Sequence, residues 1–181
     1  MQGTLRLLQL DPSAPAFFDN TPEACMRSFW VMAVTAPVYA LWAAISYSGV
    51  EVMADTGEIV MVEALRFVVD WLLFPVLFYE IARRRRWLDR YPRYIGALNW
   101  INLPTTLLMV LNAVVISITP PPFRDLFFFA VFVLGCYWIV VATRLVLGTN
   151  WLLAILLLIV NVVPSLFLST IIDRFIGVLP G

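Results

Sequence analysis

Histidine and lysine are both missing from these 181 residues, and cysteine occurs only twice. Each shortage closes off a kind of chemistry. Without imidazole, no side chain has an ordinary proton affinity near neutrality, and the commonest metal ligand is gone. Cys25 and Cys136 stand in different segments, so neither a zinc cluster nor a disulfide framework can be assembled. Haem and iron–sulfur ligation are equally unsupported. No Ser/His or Cys/His pair exists for nucleophilic catalysis. The sequence therefore implies no cofactor, no metal and no enzymatic activity. Charge is scarce too: 13% of residues carry it, against about a quarter in an ordinary soluble domain.

Apolar residues fill the gap, at 62% of the chain and a mean hydropathy of +0.90. Five stretches, 28–50, 59–82, 94–118, 124–147 and 150–172, each reach the ~20 residues needed to cross a ~30 Å hydrocarbon layer. The expected fold is an all-α membrane protein of five transmembrane helices, several kinked by proline, behind a short cytoplasmic N-terminal segment. Residues 1–27 form that cytoplasmic or interfacial leader, and 28–181 form the transmembrane domain. Too little chain lies outside the spans for a second, soluble core. The apolar run in Met1–Leu10 is too short for a cleaved signal, so the first span is read as an uncleaved anchor. No lipid attachment is expected.

Twelve positive and twelve negative residues cancel in number, but not in position. All the cations are arginine. Arg6, Arg27, Arg83, Arg84, Arg85, Arg86, Arg90, Arg93 and Arg144 fall on one side of the expected membrane. Arg124 and Arg174 fall on the other, and Arg66 lies inside a span. Positive charge is retained on the cytoplasmic side, which puts the N-terminus in the cytoplasm and, after five crossings, the C-terminus outside. The first external loop agrees, with Glu51, Asp55 and Glu58 and no cation. An arginine-only basic set suits a GC-rich bacterial genome, and the bacterial inner membrane is the expected location.

Local signals place the helix ends. Asn20-Thr21-Pro22-Glu23 reads as a helix start, with a capping oxygen, a first-turn proline and an acid at the positive dipole end. Gly148 suits a left-handed helix end and Asn150 the next cap. Thr119-Pro120-Pro121-Pro122 reads as a stiff, non-helical external turn. Pro37, Pro75, Pro104 and Pro164 fall within spans and are expected to bend them. Ala36, Ala40, Ala44 and Ser48 make a small-residue stripe that reads as an internal seam. Trp30, Trp87, Tyr91, Tyr94, Trp100 and Trp151 gather where interfacial aromatics belong. The leader, with Leu5, Leu7, Leu8, Leu10, Phe17 and Phe18, either lies among the headgroups or packs under the bundle.

Glu63, Arg66 and Asp70 are the sharpest chemical signal. Offsets of three, four and seven put them on one helical face over about 10 Å. Charges within a span cost a few kcal/mol each, so they turn inward and pair. Arg66 can reach both carboxylates, and depth matching brings Asn112 and Asn161 towards Asp70. Two uses fit: an ion-paired network that fixes helix register, or a proton or cation path. They divide on whether Asp70 faces a watery cavity or a dry seam. Elsewhere, Asn99 and Asn102 are spaced to bond across helices. Arg83, Arg84, Arg85, Arg86, Arg90 and Arg93 could hold anionic lipid headgroups or an acidic partner, at about 1 kcal/mol each; setting topology also accounts for them. Glu80, one turn away, can pair part of the run. No folded nucleic-acid reader accompanies the patch.

Arg90-Tyr91-Pro92-Arg93-Tyr94-Ile95-Gly96-Ala97-Leu98-Asn99-Trp100, with Tyr137–Arg144 and Gly148, resembles small membrane proteins of alphaproteobacteria. The layout of a short leader before five spans is similar to the Yip (Ypt-interacting protein) membrane family. The acidic and tyrosine-glycine leader motif of eukaryotic Yip proteins is missing, so the resemblance implies a membrane organiser rather than a partner of trafficking GTPases. The function expected from the sequence is a scaffold, adaptor or accessory subunit acting through helix packing and its basic loop. Anionic lipids, another membrane protein or a second copy would be its partners. The alternative is a small transporter or ion-path subunit that uses the charges of the second span.

Overall fold

The computed structural model describes residues 2–48 and 50–177. Among them there are helices and turns but no strand. In chain order come α1 (Gln2–Leu8), a 3-10 turn (Ala14–Phe17), α2 (Pro22–Ser28), α3 (Trp30–Tyr47), α4 (Thr56–Arg85), α5 (Tyr91–Ile118), α6 (Pro121–Leu147) and α7 (Trp151–Phe175). Four helical segments are long and apolar enough to cross a membrane: α2 with α3 over Pro22–Tyr47, then α5, α6 and α7. α4 is the longest helix at 30 residues, but Glu63, Arg66 and Asp70 interrupt its apolar run. Met1 and residues 178–181, to which the expected sidedness refers, lie outside the described residues, as does Gly49.

Capping chemistry sets the helix boundaries. The Thr21 hydroxyl accepts the Ala24 N–H at 3.2 Å, with Pro22 and Glu23 in the first turn. The Asn150 side chain accepts the Leu153 N–H at 2.9 Å, after Gly148 ends α6 at φ 64°. α4 opens on a reciprocal box in which Asp55 and Glu58 each bond the other's backbone N–H. The triple proline departs from expectation, because Pro121 and Pro122 form the first turn of α6. A first-turn N–H has no intrahelical acceptor to lose, and the ring already fixes a helical φ. The longer helices run on through Pro37, Pro75, Pro104 and Pro164.

α5 packs on α3, α6 and α2; α6 packs on α7, and α7 on α4, which touches α3 and α5. The long helices thus close a ring. The Arg90 guanidinium donates to the Leu147 carbonyl at 2.7 Å, and the ends carrying the arginine loop, Arg144 and Trp151 meet on that side. At the opposite end, the Ala54 N–H meets the Ile176 carbonyl at 3.1 Å. Packing is densest towards the arginine-rich end, where Phe74, Phe78, Tyr94, Ile95, Ala142 and Val146 are buried together. Tyr94 therefore belongs to the core rather than the interface; its hydroxyl meets Thr143 Oγ1 at 2.9 Å.

Two further expectations resolve here. On α3, Ala40, Ala44 and Ser48 are exposed, and the buried line is Val31, Thr35 and Ala43. The seam runs one residue round because Thr35 and Ala43 are also small, while Tyr39 on the same line reaches a charge across the bundle. The leader packs under the bundle, burying Leu7, Ala14 and Phe18. It sits so close that a Cβ on Gly3 would lie 2.8 Å from the Phe17 Cβ. Asn20 donates to the Asp89 carbonyl and accepts the Arg93 N–H, while Arg93 Nε donates to the Phe18 carbonyl at 3.0 Å. At the leader's exposed turn, the Ser13 N–H, the Ser13 hydroxyl and Arg6 hold the Asp11 carboxyl below its usual range.

Candidate functional site

The three charges of α4 face into the ring, as their spacing predicts. Glu63 is buried and accepts the Tyr39 hydroxyl at 2.5 Å and the Tyr47 hydroxyl at 2.8 Å. Arg66 Nη1 adds a third bond to Glu63 at 3.2 Å, and Arg66 Nη2 donates to Ser169 of α7 at 2.9 Å. The guanidinium also lies 5.9 Å from the Trp42 ring centroid, within cation–π range. Asp70 is treated differently. Its Oδ2 is 3.7 Å from Arg66 Nε, too long for a hydrogen bond. Among the described residues its Oδ1 is buried without a hydrogen-bond partner, as is Arg66 Nε, although the Ser165 hydroxyl stands beside the carboxyl. Glu63 is held by three donors, whereas Asp70 keeps an ion pair to Arg66 and one oxygen without a hydrogen-bond partner.

Asp70 lies on the wall of a partly open chamber of about 70 Å³ between α4, α5, α6 and α7. Asn102 and Asn161 share the wall with it, as do Trp71 and Asn99. A buried water needs space and two to four polar partners, and this chamber has both. Its floor is a chain of hydrogen bonds. Trp71 Nε1 donates to Asn99 Oδ1 at 3.0 Å, and Asn99 Nδ2 donates to Ser28 Oγ at 2.8 Å. The Ser28 hydroxyl then donates to the Cys25 carbonyl at 2.6 Å. Ser28 also lines a second cavity of about 210 Å³ at the arginine-rich end, a cleft that includes Asp19, Arg27 and Trp100.

Depth matching succeeds for Asn161 and fails for Asn112. Asn112 lies ten residues beyond Asn102 on α5, about 15 Å along the axis, and its buried amide oxygen has no partner. Equal depth does not make two helices neighbours, and α4 meets α5 closely only towards the arginine-rich end. Part of the six-arginine patch also makes contacts within the protein. Arg83 and Arg84 pair with Glu80 at 2.9 and 2.7 Å. Arg90 holds the end of α6, and Arg93 holds the leader. Arg85 and Arg86 stay exposed and have no ion-pair partner among the described residues.

Tyr39, Tyr47, Ser169, Trp71 and Ser28 belong to the site without having been singled out by sequence. For the tyrosines a signal existed: eight residues apart, they share one face of α3, and a hydroxyl facing the bundle interior needs a partner. Asn99, expected to bond across helices, does so on both sides. Among the described residues, no three His, Cys, Asp or Glu side chains are placed to hold a metal ion. In comparisons with known proteins, the chain matches no family model, no curated protein and no solved structure.

Proposed function

We propose that this chain is a small ion-path protein of the membrane, with Asp70 as the group that takes up and releases a proton or small cation. One observation carries the reading: Asp70 lines a cavity with Asn99, Asn102 and Asn161, and one of its oxygens has no hydrogen-bond partner among the described residues. Arg66 pairs with both acids, but only Glu63 has both of its oxygens hydrogen-bonded among the described residues. In this reading α4 is a fifth crossing. Its outward face is Val60, Met61, Leu65, Val68, Leu72 and Val76, while its charges point inward, as a bilayer requires. At 1.5 Å per residue it is about 45 Å long, enough for a ~30 Å core. The internal prolines bend the helices round the chamber, and the arginine-rich end faces the cytoplasm, following the positive-inside rule.

The test is flux in proteoliposomes carrying an internal pH dye. Asp70→Asn keeps the shape but cannot ionise, so flux should fall on the order of tenfold, about 1.4 kcal/mol in barrier, while unfolding temperature and monodispersity hold. Wild-type flux in that variant would end the reading.

A second reading rests on Arg85 and Arg86, exposed at the end of α4 and without an ion-pair partner among the described residues. They suit anionic headgroups, and the protein would then act as a membrane organiser; its layout, similar to that of the Yip family, belongs to this proposal. Replacing both with glutamine should weaken stabilisation by an added anionic lipid, removing about 1 kcal/mol per cation at low salt. An unchanged lipid dependence of the unfolding temperature would discard it.

A further inference from the structure

Resting on the reading of Asp70 as the carrying group, we propose that the carried species is the proton, and that Asn99 is the closed gate between the chamber and the cleft at the arginine-rich end. The donor set argues against a metal cation. Hard cations take six or more oxygen ligands, whereas the chamber offers one free carboxylate and the amides of Asn102 and Asn161. The oxygen of Asn99 is already taken by Trp71. A proton needs no such ligand shell, since one carboxylate binds it. It binds the Asp70 carboxylate as an O–H bond of a hydronium in the cavity breaks, leaving water, and is released to water by the reverse step.

On the other side of the chamber the route is shut. An amide donates and accepts hydrogen bonds but does not take up and pass on a proton. Asn99 is buried, with its oxygen held by Trp71 and its nitrogen by Ser28. The Ser28 hydroxyl, facing the outer cleft, is itself held by the Cys25 carbonyl. Two cavities are therefore separated by one buried side chain bonded at both its oxygen and its nitrogen. Turning Asn99 away, or shortening it, would join them through water.

The experiment compares full-length wild type, Asn99→Ala, Ser28→Ala, Asp70→Asn and the Asn99→Ala/Asp70→Asn double variant in vesicles under a potassium diffusion potential. Unfolding temperatures are measured alongside. Asn99→Ala should raise proton flux several-fold and Ser28→Ala should raise it less, because Trp71 still holds the amide. The double variant should be as slow as Asp70→Asn alone. Replacing sodium by a bulky organic cation should change nothing. Should Asn99→Ala fail to fold, Ser28→Ala decides. A folded gate variant with unchanged or reduced flux overturns the gate, and sodium-dependent flux overturns the proton assignment. Loss of flux in Asp70→Asn without any gain in the gate variants sinks this inference alone. Wild-type flux in Asp70→Asn sinks the reading beneath it.

Discussion

Arg66→Met should destabilise the protein by about 3–5 kcal/mol, the range seen when one partner of a buried ion pair is removed. The cost comes from what is left behind. Glu63 is 4% exposed, and without the guanidinium its charge keeps only two tyrosine hydroxyls as partners. Asp70, with one oxygen already unsatisfied, loses its nearby cation. Removing Glu63 as well should restore much of the loss, since Glu63→Gln is neutral and can still accept from Tyr39 or Tyr47. Denaturant titration in detergent would measure both variants. A loss below about 1 kcal/mol, typical of exposed pairs, would mean that water reaches the trio freely and that the site is not an interior one.

Phe78→Ala should cost about 3 kcal/mol, the low end of the range for deleting a buried aromatic ring. Phe78 is 0% exposed. Its ring stands edge-on to Tyr94 at 4.7 Å and stacks on Tyr91 at 5.8 Å. The low end is chosen because, if α4 crosses the bilayer as proposed, the unfolded reference keeps the ring away from water and the transfer term shrinks. The lost dispersion contacts and the remaining void still count. Phe128 supplies the contrast: it is 58% exposed, and Phe128→Ala should move stability by less than about 0.5 kcal/mol. Equal losses at the two positions would contradict the burial described for α4.

The helices and several of their ends were legible in the sequence because these are local matters. A run of apolar residues sets length, and Thr21, Gly148 and Asn150 act within a turn of their own positions. The spacing of Glu63, Arg66 and Asp70 was legible for the same reason. Lateral order was not. Which helix stands beside which decides that Asn161 meets the chamber and Asn112 does not, and depth along the chain leaves that choice open. Tyr39 and Tyr47 read as two aromatics among many until α4 is set against α3. Arginine runs have the same weakness: Arg90 and Arg93 look like free charge, but each ends on a carbonyl from a distant segment. The stripe on α3 erred by one residue because two neighbouring lines both carry small side chains, and only the partner chooses between them.

The leader's latch has a consequence for how the protein is made. The Phe18 carbonyl meets Arg93, 75 residues later in the chain. At ordinary rates of translation that interval is roughly 4–15 s, during which Leu7 and Phe18 have left the ribosome and their seat has yet to be built. The leader residues therefore stay undocked until the start of α5 has been made, and their apolar side chains wait exposed for that interval.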